Sequence, residues 1–136
     1  MKLEELQEKL QNDLKIDLTK LQYEASNNPV LYGNWIKIYS DIKKNLLVYE
    51  NSKKKALKAR LDHYTGRGEE VCMDVYEKSE MKTVLSADSE VIKAETTYQY
   101  WLLLLDVATR ALEAIKSRGF SIKHALECRQ FEAGVK

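Results

Sequence analysis

From Pro29 onward nothing in the sequence stops a helix until Gly66-Arg67-Gly68. That stretch predicts a helix of roughly 36 residues, about 54 Å long at about 1.5 Å per residue. Helices longer than about 25 residues usually belong to coiled coils or assemblies. Asn28 can cap this helix, and Pro29 suits its first position, where the missing N–H would have no partner anyway. Leu31, Trp35, Ile38, Ile42 and Tyr49 follow a heptad-like seam. Leu57, Leu61 and Tyr64 continue an apolar stripe with a small shift of phase.

A second long helical pattern begins near Ser79-Glu80, with Val84, Val91, Tyr98, Leu102, Leu105 and Leu112 on a common face. Trp101, Leu104, Ala108 and Ile115 widen that face beyond one seam. A surface helix needs only one apolar stripe, so the breadth points to burial against more than one neighbour. Tyr98, Trp101, Leu102, Leu105 and Leu112 are therefore candidate subunit contacts. Gly119 supplies a C-cap, and a short last helix carries Ile122, Leu126 and Phe131. At the other end Leu3, Leu6 and Leu10 mark a short amphipathic helix, and a second runs from about Asp17 to Ser26. One proline and five glycines leave little turn chemistry in 136 residues. The expected fold is all-α and a single helical domain over 1–136. It has short N-terminal helices (1–28), a long basic helix (29–65), a loop (66–78), a long apolar helix (79–118) and a C-terminal helix (119–136).

The net charge of +1 points to no partner, but its distribution does. Residues 1–36 carry net −2, residues 37–67 net +6 and residues 68–136 net −3. One stretch thus holds the positive potential between acidic flanks, a pattern that suits a polyanion partner; the plainer reading is a solvated helix face. In Lys53-Lys54-Lys55-Ala56-Leu57-Lys58-Ala59-Arg60-Leu61-Asp62-His63-Tyr64 the basic groups flank the Leu57–Leu61 stripe on both sides. Lys54, Lys58, Arg60 and Arg67 can neutralise phosphates, and His63 and Tyr64 can stack on exposed bases.

The search for catalysis comes back nearly empty. Gly66-Arg67-Gly68 lacks the framework of a phosphate-binding loop and reads as a helix stop. His63, Cys72, His124 and Cys128 are too scattered for a zinc site, so no metal and no cofactor is expected. Cys72 with His63 has no visible orienting group. Trp101 with Tyr98 and Tyr100 could stack bases, but their leucine-rich setting favours core or interface. The charged start, Met-Lys-Leu-Glu-Glu, is no signal peptide, and Trp101–Leu105 is too short an apolar run to span a membrane. Free thiols in a reducing cytoplasm are expected.

At the basic segment a family resemblance becomes visible. Its carriers are Lys-Leu-Gln-Tyr-Glu-Ala (20–25), Ala-Leu-Lys-Ala-Arg-Leu-Asp (56–62), Gly-Arg-Gly (66–68) and Tyr-Glu-Lys-Ser-Glu-Met-Lys-Thr-Val-Leu-Ser-Ala-Asp (76–88). Gln-Tyr-Trp (99–101), Ala-Ile-Lys-Ser-Arg-Gly-Phe (114–120) and Phe-Glu-Ala-Gly (131–134) complete the set. The chain resembles, over essentially its full length, the UvsY recombination mediator family of T-even-like bacteriophages. The resemblance implies a non-enzymatic mediator in the cytoplasm of the infected bacterial host. Such a protein binds single-stranded DNA, weakens the coat of the phage single-strand-binding protein and helps the phage recombinase form its filament. It implies a ring of six or seven subunits packed through helices, and it places the DNA contacts at Lys58 and Arg60. The alternative is a structural coiled-coil or scaffold protein whose basic stretch only solvates a helix. A double-stranded DNA regulator would need a compact helix-turn-helix, and none is found.

Overall fold

The computed structural model describes residues 1–66 and 76–134. Among them the regular elements are all helices: α1 (Leu3–Asp13), α2 (Leu21–Tyr64), α3 (Lys78–Ser86) and α4 (Ser89–Glu132). Their residues form two compact units, one of 1–42 with 103–136 and one of 43–102. The all-helical expectation holds, but several predicted boundaries do not. Arg67 and Cys72 lie outside the described residues, as does most of the predicted loop; Gly66, at its start, takes a φ of 79°, as a helix stop requires.

The first correction is at Pro29, which sits inside α2 instead of starting it. A proline within a helix forfeits a backbone hydrogen bond, typically costing about 3 kcal/mol. Contacts on the residues before it offset that cost. Leu21 and Glu24 are buried. The Asn28 amide donates to the Ile115 carbonyl at 3.0 Å, and its oxygen accepts from Arg118 Nη1 at 2.8 Å. The short helix predicted from Asp17 is therefore the beginning of α2.

The second correction is at Gly119, which ends nothing: α4 runs through it to Glu132. The glycine is there for proximity. A Cβ on it would come within 2.9 Å of the Asn28 amide nitrogen. Gly119→Ala should gain up to about 1 kcal/mol in helix propensity. Crowding the doubly anchored Asn28 should cost about 1–3 kcal/mol. The expected outcome is net destabilisation, read by urea denaturation; a stabilised variant would refute the close packing.

The third correction lies between α3 and α4. The helix predicted to run unbroken from Ser79 is interrupted at Ala87-Asp88. Asp88 Oδ1 accepts the N–H groups of Glu90 (2.9 Å) and Val91 (3.2 Å). A side-chain acceptor for the first free amides is what starts a helix.

In the unit of 1–42 and 103–136, α4 buries Leu104, Ala108, Ala111, Ile115 and Ile122. Their spacing of four, three, four and seven residues keeps one stripe on one side of the helix. Trp35 and Ile42 of α2 and Leu6 of α1 are buried in the same unit. Trp35 Nε1 donates to Asp13 Oδ2 at 2.9 Å, which docks the end of α1. Within the stripe stands Arg118, only 4% exposed. Its Nη2 donates to Glu24 Oε2 and to the Lys15 carbonyl, both at 2.7 Å. The Asp17 N–H also donates to Glu24 Oε2, at 2.9 Å. One ion pair thus fastens α4, α2 and the chain between α1 and α2.

The predicted interface stripe is not this core. Tyr98, Trp101, Leu102, Leu105 and Leu112 are each half-buried. Leu105 and Leu112, in this unit, lie about a quarter turn around α4 from the buried stripe, at about 100° per residue. Leu103, Phe120 and Phe131 of α4 are exposed.

Candidate nucleic-acid interface

The basic segment forms the C-terminal stretch of α2, in the unit of 43–102. Its helical form follows from its residues: Lys, Ala, Leu and Arg are good helix formers, and no β-branched residue interrupts them. Lys54 and Lys58 are one turn apart and point their charges into solvent. Lys54 Nζ is 3.7 Å from Glu50, with side chains 70% and 44% exposed. Lys58 Nζ is 2.9 Å from Asp62, with side chains 78% and 29% exposed. Exposed pairs of this spacing are worth about 0.3–0.5 kcal/mol. The Lys58–Asp62 pair has the weaker order, base before acid. Water or phosphate can replace either carboxylate at little cost.

Arg60 is held differently. Its Nε donates to Asp88 Oδ2 at 2.9 Å, and the Asp88 side chain is only 2% exposed. The guanidinium carbon lies 5.4 Å from the centroid of the Tyr64 ring, and the Tyr64 hydroxyl donates to the same Asp88 oxygen at 2.6 Å. His63 meets Tyr64 edge-on at 5.1 Å, and Tyr76 meets the same Tyr64 ring edge-on at 5.8 Å. The structure therefore brings Arg60 and Tyr64 together on Asp88, sets His63 edge-on to Tyr64, and leaves Lys54 and Lys58 on the open surface. Arg67 lies outside the described residues.

Sequence reasoning missed Asp88 as a member of this cluster. The available signal was local: an aspartate directly before Ser89-Glu90 reads as a helix N-cap. The charged partner on α2 left no local trace. The aromatic groups of α4 are also engaged from within the unit. Tyr49 stacks on Trp101 at 5.4 Å with 25° between planes, and Lys53 Nζ lies 4.7 Å over the Tyr98 ring. These contacts favour a packing role for Trp101 and Tyr98 over a base-stacking one.

Burial pushes the Asp88 carboxyl up, but hydrogen bonds from Tyr64, Arg60 and the two capping amides outweigh it and hold it below the ordinary value. Arg60 is raised, through Tyr64 first and Asp88 second. Asp17, in the other unit, is lowered by the hydroxyl and then the N–H of Thr19. The sign follows by linkage. A carboxyl lowered on folding contributes stability that is fully present above its unfolded value, about 3.9, and is lost as pH falls through the lower folded value. The thermal midpoint should accordingly fall below about pH 4, and Asp88→Asn should flatten that fall. Identical acid profiles for the two proteins would count against the Asp88 contacts.

Among the described residues no group of three His, Cys, Asp or Glu side chains could hold a metal ion. His124 Nδ1 is 3.6 Å from Glu127, and Cys128 is an exposed free thiol. No helix among the described residues is long and apolar enough to cross a membrane.

The geometry defines an all-helical protein that presents paired cations along one long helix. Residues 9–135 match the family model of the recombination, repair and ssDNA binding protein UvsY, and the chain belongs to that family. It is 61% identical over 136 residues to the recombination protein uvsY of Enterobacteria phage T4, covering 98% of this chain and 99% of that one. It superposes on a crystal structure of the bacteriophage T4 recombination mediator protein UvsY with a TM-score of 0.91. The identity there is 60%, with 98% of each chain covered. A second crystal form gives a TM-score of 0.89 at 60% identity, covering 94% of this chain and 98% of that one.

Proposed function

We propose that this chain is a recombination mediator that binds single-stranded DNA, weakens the coat of the phage single-strand-binding protein and promotes loading of the phage recombinase. Lys58 and Arg60 make the main phosphate contacts, assisted by Lys54, Arg67, His63 and Tyr64. The protein acts as a ring of six or seven subunits in the cytoplasm of the infected host, by binding and not by catalysis. The observation that carries this reading is the exposed Lys54–Lys58 row beside Arg60. It stands in a chain about as long as the T4 mediator and 60% identical to it.

The physics of the role follows from repetition. One subunit offers few phosphate contacts, and each is weak in salt. A ring repeats them, and linked weak contacts gain strongly through effective concentration. A strand held in the shape the ring dictates is available to the coat protein in a different shape. Differential affinity for the two shapes then shifts the exchange. The half-buried Tyr98, Trp101, Leu102, Leu105 and Leu112 supply the subunit contacts.

The competing reading, a scaffold with a solvated basic face, draws on one observation: Lys54, Lys58 and Arg60 each already have a carboxylate partner. Two measurements separate the readings. Sedimentation should give a closed oligomer, and Leu105→Asp should shift it to smaller species, because unpaired charge in an apolar contact is costly. Titration against single and double strands should show tighter, strongly salt-dependent single-strand binding by the oligomer. A stable folded monomer, or binding without salt dependence, would sink the mediator reading.

A further inference from the structure

Lys54, Lys58 and Arg60 are each neutralised from within the chain, but not in the same way. The carboxylates of Glu50 and Asp62 are 44% and 29% exposed and can swing into water when a phosphate arrives. Asp88 has no such freedom. Its side chain is 2% exposed. Oδ1 is fixed by two amides at the start of α4, and Oδ2 by the Tyr64 hydroxyl and Arg60 Nε. If Arg60 left, a buried carboxylate would remain without its counter-ion, which is strongly unfavourable.

We propose that Asp88 is a built-in competitor of the DNA phosphate at Arg60, a fixed internal carboxylate that lowers the affinity of the basic segment for single strands. This rests on the reading that Arg60 faces phosphate. Nε is committed to Asp88 and the guanidinium also leans on Tyr64, yet the side chain keeps 31% exposure. That exposed part meets the strand, while Nε stays on Asp88. The pair as a whole presents little net charge, so it releases few counterions on binding. Lys58 and Lys54, whose partners move away, carry most of the salt dependence, and Arg60 contributes a directed but attenuated contact. For a protein that must hand its strand on, a capped affinity favours release.

The test is Asp88→Asn in the full chain, with binding to a fluorescent oligo-deoxythymidine followed against salt. Asparagine caps a helix about as well as aspartate, so α4 keeps its start. Asp88→Ser, also a good cap, is the second variant should the first fold poorly, and melting and sedimentation check both. The expected result is a log–log salt slope steeper by up to about 0.7 per engaged subunit. Affinity at 0.1 M salt should rise by up to about fivefold. Arg60→Ala is measured beside it. If Arg60→Ala leaves affinity unchanged, the phosphate reading of Arg60 fails and this proposal with it. If Arg60→Ala weakens binding but the folded Asp88 variants do not tighten it, the competitor role alone is overturned. Weaker binding by folded Asp88 variants would make Asp88 a positioning residue instead, and would equally overturn it.

Discussion

Arg118→Met is expected to destabilise the unit of 1–42 and 103–136 by about 3–5 kcal/mol, the cost of leaving a buried charge without its partner. Methionine preserves length and helix propensity, so the loss is electrostatic. Among the described residues Glu24, 7% exposed, would keep only the Asp17 N–H as a hydrogen-bond donor. The Lys15 carbonyl and the Asn28 oxygen would lose their donor as well. Pairing Arg118→Met with Glu24→Leu removes both charges, and buried ion pairs replaced in this way are often neutral or better. The double variant should therefore regain much of the loss. Urea denaturation at one fixed protein concentration measures both, since oligomerisation makes apparent stability depend on concentration. A double variant no more stable than the single one would show that the Lys15, Asp17 and Asn28 bonds, and not the charge pair, hold the unit.

Lys58→Ala with Arg60→Ala should weaken single-strand binding by between about fivefold and about 25-fold at 0.1 M salt per engaged subunit. The Lys58 contact lowers the salt slope by about 0.7, Arg60, attenuated by Asp88, by less, and the affinities are taken to converge near 1 M. Recombinase loading should fall with it. Helix propensity alone predicts no structural cost, because alanine is the best helix former. The Asp88 contact adds one: Arg60→Ala strips a buried carboxylate of its counter-ion, whereas Lys58→Ala frees only an exposed pair. Lys58→Ala by itself is thus the cleaner probe of DNA contact. The double variant, intact and with unchanged affinity and slope, would move the DNA site elsewhere.

The helical class and the seam of α2 were legible because period and propensity are local. Trp35 and Ile42, read as core-facing from spacing, are buried. The misread positions share a cause. Pro29 and Gly119 carry their usual neighbourhood readings and Asp88 none, and at each a residue far along the chain decides the outcome. Asn28 reaches Ile115 and Arg118, Gly119 makes room for Asn28, and Asp88 receives Arg60. Separations of 87, 90 and 28 residues leave no periodic mark. The apolar breadth of α4 was visible, but which part of it faces inward was not. A pattern of leucines gives the width of a stripe without naming the neighbour that covers it. The segments that carry the family resemblance hold both ends of each buried ion pair. Glu24 lies in 20–25 and Arg118 in 114–120; Arg60 lies in 56–62 and Asp88 in 76–88. The recognisable blocks are thus tied together by charge.

The capping aspartate also makes the protein report on itself. Its two oxygens join the amides of Glu90 and Val91 to the guanidinium of Arg60 through a single carboxylate. Whatever pulls on that guanidinium changes the charge density felt by two backbone protons at the start of α4. Their nitrogen-15 chemical shifts and exchange rates are then a gauge of occupancy at the basic segment, read through the Asp88 carboxylate. Saturating Lys58 alone should leave both resonances where they are. Engaging Arg60 should move the two together, and in the same titration.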